Sequence, residues 1–174
     1  VTPRDDQILH ETKHWIQSFV IALNLCPFAK KPYEAEQIRY EVSTAKDVEK
    51  MLQEYVRTID ILDSCSGKEV SNAFLILPFA SHHFRDFIDL VSIAEQLLVE
   101  QNKENNYQLV AFHPKFQFAG TADNEPGNLV NRSPYPMIHI LREKDVSDAI
   151  QAYGDTHQIS LRNQKLLSQN NFRN

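Results

Sequence analysis

The sequence predicts an α/β layered domain on three observations. Short apolar or alternating segments recur between longer segments whose apolar residues follow helical spacing. Helical segments separate the first three strand-like segments, which favours right-handed parallel crossovers between them. A fourth strand-like segment follows a long loop with no helix before it, so it is expected to pair antiparallel with a neighbour. The expected architecture is a three- or four-stranded mixed sheet layered with helices, a βαβαββα core preceded by an N-terminal helix, with α+β as the neighbouring class.

The elements follow in order. From about Asp6 to Asn24, Ile8, Thr12, Trp15, Ile16, Phe19, Ala22 and Leu23 recur as one helical stripe. Pro27 ends it, because the residue before a proline is pushed out of helical geometry. Leu25 to Lys31 then reads as a turn. Gln37 to Val42 alternates polar and apolar, the period of a half-buried strand. Ser43 or Thr44 is expected to cap the next helix, whose apolar face is Val48, Met51, Leu52, Tyr55, Val56, Ile59 and Leu62. Asp63 to Ser71 is a polar connector. The run from Ala73 to Leu77 is apolar without interruption and stops at Pro78, as in a strand buried on both faces. A helix from about Ser81 to Gln101 and a strand from Leu109 to Phe112 follow, the strand ending at His113-Pro114. After the loop come a strand at about Met137 to Leu141 and a helix near Asp145 to Tyr153 closed by Gly154. The whole chain, 1–174, reads as one domain: a core over 6–154, a C-terminal helix over 156–167 and a frayed tail over 168–174.

Bulk properties narrow the function. The 174 residues suffice for one domain with a proper core, and 42% hydrophobic with 24% charged is ordinary for a globular protein. A net charge of −5 gives no general electrostatic reason to bind nucleic acid or an anionic membrane. No apolar run approaches the roughly 20 residues needed to span a bilayer. The polar start, Val1 to Asp6, has no secretory apolar region. Cys26 and Cys65 do not make a disulfide framework and read as free thiols. A cytoplasmic protein is expected.

The loop between His113 and Pro136 is the most informative stretch. Loops of such length are usually functional or disordered, and Phe116, Phe118, Tyr135 and the bracketing prolines argue for order. In open sheets with parallel crossovers, ligands collect beyond the carboxyl ends of the strands. His113 lies at that end of its strand, and His82 and His83 start the helix after Pro78, whose N–H groups favour an anion. An antiparallel fourth strand would return Asn131 to Pro136 to the same edge, bringing His113, Arg132 and His82 together.

Each candidate has a bland counterpart. His113 can act as general acid or base, or be a loop-entrance histidine bonded to a backbone carbonyl. His139 can be the second catalytic group, or a satisfied core histidine beside Met137 and Leu141. The Arg132 fork suits a carboxylate or phosphate, with Asn131 beside it and Arg142 as a second contact. Alternatively Arg132 ties the loop to Asp123 or Glu125, and Arg142 pairs with Glu143 or Asp145. Cys26 can be a nucleophile, but a preceding helix C-terminus disfavours its thiolate, and packing against Phe28 is the plainer role. A metal site would need His113, His139 and Cys26 to converge, since no short-spaced ligand pair such as CxxC is present. No G-x-S-x-G, G-x-G-x-x-G or P-loop occurs, so no motif names a nucleotide or other cofactor.

Three segments in order, Leu23 to Ala29 (LNLCPFA), Phe112 to Thr121 (FHPKFQFAGT) and Asn131 to Glu143 (NRSPYPMIHILRE), resemble the bacterial family designated domain of unknown function 1415. The similarity spans Trp15 to about Ala149 and leaves the tail beyond Gly154 outside it. The resemblance implies a single-domain bacterial protein and marks three motifs, Cys26 included, without an activity, substrate or cofactor.

The leading functional expectation is a small-molecule enzyme of unresolved reaction class, acting on a carboxylate or phosphate in a pocket formed by the 113–136 loop and the strand ends. Arg132, Arg142 and Asn131 would bind the substrate, and His113, His139 and Cys26 would carry the chemistry. The alternatives are a metal site on His113, His139 and Cys26, and a non-catalytic module whose aromatic loop docks a partner. In that last case Phe116, Phe118 and Tyr135 should form an exposed patch.

Overall fold

The structure, a computed structural model, describes residues 3–169. The chain runs α1 (Pro3–Trp15), a π-helical continuation (Ile16–Ile21), α2 (Lys30–Glu34), β1 (Ile38–Val42), α3 (Val48–Ser64), β2 (Asn72–Ile76) and α4 (Phe84–Glu100). It continues with β3 (Tyr107–Phe112), a 3₁₀ segment (Pro126–Asn131), β4 (Met137–Arg142), α5 (Glu143–Tyr153) and α6 (His157–Gln169). This is an α/β fold on a four-stranded mixed sheet of order β1-β2-β4-β3. β1 pairs parallel with β2, and β4 lies antiparallel between β2 and β3. β1, β2 and β3 therefore point the same way.

Strand alternation sends successive side chains to opposite faces, and the two faces have separate cores. Leu75, Ile138 and Ile140 pack with Met51, Tyr55 and Ile59 of α3 and Phe87, Leu90 and Ala94 of α4. Phe74, Ile76 and Met137 pack with Ile8, Trp15 and Ile16 of the N-terminal helix. The sheet is thus a middle layer, which is why Ala73 to Leu77 reads as an unbroken apolar run and all five residues of β2 are buried. Each fully buried large apolar side chain contributes about 1.5–3 kcal/mol.

The departures from expectation have local causes. The first helix begins at Pro3, not Asp6, and over Ile16–Ile21 its bonds lengthen to the i→i−5 pattern, as in Leu25 N to Val20 O at 2.8 Å. Asn24, at φ 51°, ends it in the left-handed region that asparagine tolerates. The short helix α2 overlaps a stretch read as a turn, with Pro32 in its first turn, where the missing N–H is not needed. Asp47, not Ser43 or Thr44, caps α3: its carboxylate accepts the Lys50 N–H at 2.9 Å from an extended backbone. Buried Ser43 instead accepts the Ala45 N–H at 3.1 Å. The polar connector after α3 shortens accordingly, since the helix runs to Ser64.

α6 continues to Gln169, so Ser168 and Gln169 are helical rather than frayed; residues 170–174 of the expected tail lie outside the described residues. Tertiary contacts hold the helix down. Leu167 is buried, and the buried Asn163 donates from Nδ2 to the Leu25 carbonyl at 2.7 Å.

Candidate functional site

Three parallel strands bring their carboxyl ends to one rim. Backbone bonds stitch the loops there: Ser43 N to Ile76 O at 2.9 Å, Leu77 N to Pro136 O at 2.8 Å and His113 N to Asn131 O at 3.1 Å. His113, Asn131, Arg132 and the Ser81 loop therefore share this edge.

The rim does not leave His113 free. It is buried at 1% exposure, with its ring centroid 5.5 Å from that of Phe84 and 5.3 Å from that of Phe87. Its Nδ1 accepts the Lys115 N–H at 3.0 Å, so the proton sits on Nε2, which donates to the Ser81 carbonyl at 3.1 Å. Burial holds its pKa below the ordinary histidine value, against the opposing pull of that carbonyl. Both ring nitrogens are committed, which is the arrangement of the loop-entrance histidine rather than of a free base.

Arg132 likewise works inside the protein. Its Nε donates to the Phe116 carbonyl at 3.0 Å, and one terminal nitrogen reaches both the Asp123 carbonyl at 2.7 Å and the Asp123 carboxylate at 2.9 Å. Asn131 Nδ2 donates to the Ala111 carbonyl at 3.0 Å. Sequence reasoning missed the loop's centre, Asn128, which is wholly buried. Its Oδ1 accepts from Phe118 N at 2.9 Å and Thr121 Oγ1 at 3.0 Å, and its Nδ2 donates to the Ala122 carbonyl at 2.8 Å. The loop is ordered from within. Phe116 is buried, Tyr135 packs partly buried and donates its hydroxyl to Glu11, and Phe118 alone of the three is exposed. They form no exposed aromatic patch.

The other predicted residues lie elsewhere. His139 pairs in register with Phe74 and Val110, on the face covered by the N-terminal helix. His113 lies on the α4 face, so the sheet stands between the two histidines. His139 stacks on Phe74 with centroids 3.9 Å apart, and its Nε2 lies 2.9 Å from Asn72 Oδ1. Burial pushes its pKa down to about 3.

Arg142 closes β4 at the opposite end of the sheet from His113. It donates to the carbonyls of Leu62 at 2.6 Å, Cys65 at 2.9 Å and Val70 at 3.2 Å, binding the last turn of α3 instead of an acid at the entrance of α5. Cys26 lies between the π-helical segment and α2, where burial pushes its thiol up although the N–H groups of Phe28 and Ala29 pull the other way. Phe28 packs edge-on against Tyr153. Cys26 and Cys65 are both free thiols. Among the described residues, no group of three or more His, Cys, Asp or Glu side chains gathers to hold a metal ion.

What the rim does open is a cleft of about 610 Å³ where β1 ends and α3 begins, walled by Thr44, Lys46, Asp47, Lys50, Glu54 and Arg57 among others. Asp47 is occupied as the helix cap and as the partner of the Lys50 ammonium at 3.1 Å. The Lys46 ammonium sits 5.4 Å from the centre of the Phe79 ring, and among the described residues neither Lys46 nor Arg57 has an ion pair. The cleft therefore presents two cations without an ion pair, Lys46 and Arg57, and a third, Lys50, beside the carboxylates of Asp47 and Glu54 near the positive end of a helix dipole.

A family model described as a protein of unknown function (DUF1415) matches residues 7–173. The chain belongs to this family. No curated protein and no solved structure matches it.

The match reaches well past the Trp15–Ala149 span expected from the motifs and takes in α6. The geometry gives a reason for that reach. Arg162 and Asn163 of α6 bond the carbonyls of Asn24 and Leu25, so the helix clasps the first family motif. It also packs on the 3₁₀ segment that leads into the third. The cleft lies outside all three motif segments. The signal that could have drawn attention to it is that Lys50, Glu54 and Arg57 recur at i, i+4 and i+7, a charged stripe along α3.

Proposed function

We propose that the protein binds a small anionic molecule, a carboxylate or phosphate, in the cleft between the end of β1 and the start of α3. The observation that carries this reading is a cleft of about 610 Å³ facing two cations, Lys46 and Arg57, that have no ion pair among the described residues. Its volume falls in the range of small-molecule sites. Its place at the carboxyl end of a parallel strand is where such folds collect ligands, and the amino end of α3 adds a favourable field for negative charge. Lys50 can shift from Asp47 to a bound anion, since both side chains are more than half or about half exposed.

The ligand is a small molecule rather than nucleic acid, in keeping with a net charge of −5. No helix among the described residues is long and apolar enough to cross a membrane, and the proposal includes the cytoplasmic, bacterial setting expected from the sequence. It is a binding function first. Chemistry at His113, His139 or Cys26 draws no support from their geometry, because the imidazoles are bonded within the fold and the thiol is held protonated. Substrate anchoring by Arg132 or Arg142 is in the same position, since Nε and Nη2 of each are bonded to carbonyls, with Asp123 also on Arg132.

The test is an amide-detected NMR titration with inorganic phosphate and with propionate, on wild type and a Lys46→Met/Arg57→Met variant. At least one anion should give saturable shifts confined to residues around 44–57, with affinity lowered about tenfold or more in the variant. An absence of saturable shifts, or shifts that survive the double substitution unchanged, overturns the reading.

A further inference from the structure

The cleft shares two of its wall residues with a smaller cavity. A second chamber of about 70 Å³ lies between β1 and α3, bounded by Glu41, Ser43, Thr58 and Leu75, and by Glu54 and Arg57, which line the outer cleft as well. Its polar groups are mostly engaged. Glu41 accepts from Arg39 Nε at 2.6 Å, and Thr58 donates its hydroxyl to the Glu54 carbonyl at 2.8 Å. Ser43 Oγ accepts the Ala45 N–H.

Glu54 is different. Its Oε2 is sealed from solvent and has no hydrogen-bond partner among the described residues. An unpaired buried carboxylate oxygen is costly, and native structures keep few of them without a functional reason. Arg57 lines the same two cavities but makes no hydrogen bond to it among the described residues. The chamber thus presents an acceptor in want of a donor, and it shares Glu54 and Arg57 with a cleft whose Lys46 and Arg57 have no ion pair among the described residues. Its volume exceeds the roughly 10–15 Å³ that one water molecule requires and admits a small polar group. A primary ammonium meets each requirement: it is compact, it carries three donors, and its charge opposes that of Glu54.

We infer that the ligand is a zwitterion whose anionic group sits in the outer cleft on Lys46, Lys50 and Arg57, and whose primary ammonium enters the inner chamber and bonds Glu54. The inference rests on the anion-binding reading and adds to it the class of ligand. Amino acids with a separated ammonium and aminoalkyl phosphates have this form.

Calorimetric titration with three phosphates separates the two readings: ethyl phosphate, 2-hydroxyethyl phosphate and 2-aminoethyl phosphate, with propionate against β-alanine as the carboxylate pair. Wild type should bind the ammonium member of a series at least about tenfold more tightly than the others, as a charge-assisted bond provides. In Glu54→Gln, which keeps the side chain's shape, that advantage should fall to about twofold or less, while ethyl phosphate or propionate binds at least as tightly as in wild type because a carboxylate has left the cleft wall. Equal wild-type affinities across a series, a hydroxyl compound as tight as the amine, or an advantage that survives Glu54→Gln overturns the inference and leaves the anion site standing. Failure of every compound to bind overturns both. The wild-type preference decides the matter by itself if Glu54→Gln does not fold.

Discussion

His113 and Ser81 tie together the ends of two strands that are not neighbours: the imidazole of the residue after β3 donates to the carbonyl of the loop after β2, at 3.1 Å. β4 lies between those strands, so the bond spans the strand that separates them. With the Lys115 N–H on its other nitrogen, the ring works as a rigid bracket across the rim. His113→Ala should therefore cost about 2–4 kcal/mol, from a lost buried side chain and two unmatched backbone groups. Urea unfolding of the variant checks it, and a loss under about 0.5 kcal/mol would mean that the bracket is dispensable.

Stability should fall as the solution is acidified below neutrality. Burial depresses the folded-state pKa of both His113 and His139, the latter to about 3. The unfolded chain then binds more protons than the folded one below the ordinary histidine value of about 6.5. The stabilisation is complete above that pH and declines below it, down to about 3 in the case of His139. Each histidine gives a slope of up to about 1.4 kcal/mol per pH unit. Urea midpoints measured from pH 7 to pH 5 should drop, and His139→Phe, which keeps the stack on Phe74, should flatten the drop.

Arg142 should be indispensable at the far end of the sheet. Its three carbonyl partners, Leu62, Cys65 and Val70, close the last turn of α3 against the start of β2. Arg142→Met leaves those carbonyls without their donor and should cost about 2–4 kcal/mol. Arg142→Lys should recover little, because an ammonium cannot reproduce the fork. Hydrogen exchange in residues 60–72 reports the loss locally.

Asn128 should decide whether the 113–136 loop holds its shape. Asn128→Ala removes two acceptor and at least one donor contacts from a fully buried position, with an expected cost of about 2–3 kcal/mol. Limited proteolysis should then cut between residues 117 and 127 faster than in wild type. Unchanged cleavage would show that Arg132 and its Asp123 partner hold the loop without it.

Much of the fold could be read from the sequence because burial writes itself as periodicity. The face Met51, Tyr55, Ile59 and Leu62 announced α3, and the unbroken Ala73 to Leu77 run announced a strand covered on both sides. The absence of a helix before β4 was enough to suggest its reversal. Short-range competition was harder to read. Ser43, Thr44 and Asp47 are all good caps, and which one wins depends on where β1 releases the chain. The rim of strand ends was legible, but the sequence reading put the pocket at the 113–136 loop, and the cleft lies instead between the end of β1 and α3. Topology put the strand ends on one rim, yet the side chains that looked chemical, His113 and Arg132, are consumed by backbone carbonyls that only the folded loop supplies. His139 looked like a partner for His113, but strand parity turns it to the other face. The residues that line the cleft, Lys46, Lys50, Glu54 and Arg57, were not among the candidates, because the sequence does not show that the edge strand beside them leaves a gap.

The position of β4 also sets an order of assembly. β2 and β3 have no edge in common, and every ladder bond that integrates β3 into the sheet runs through the last strand. During synthesis, β1, α3 and β2 can form a parallel unit as soon as they emerge, but β3 must wait with an unsatisfied edge until residues 137–142 arrive. A chain halted near residue 135 should thus be a half-closed sheet with two exposed edges that invites aggregation, and the emergence of residues 137–142 should trigger its closure.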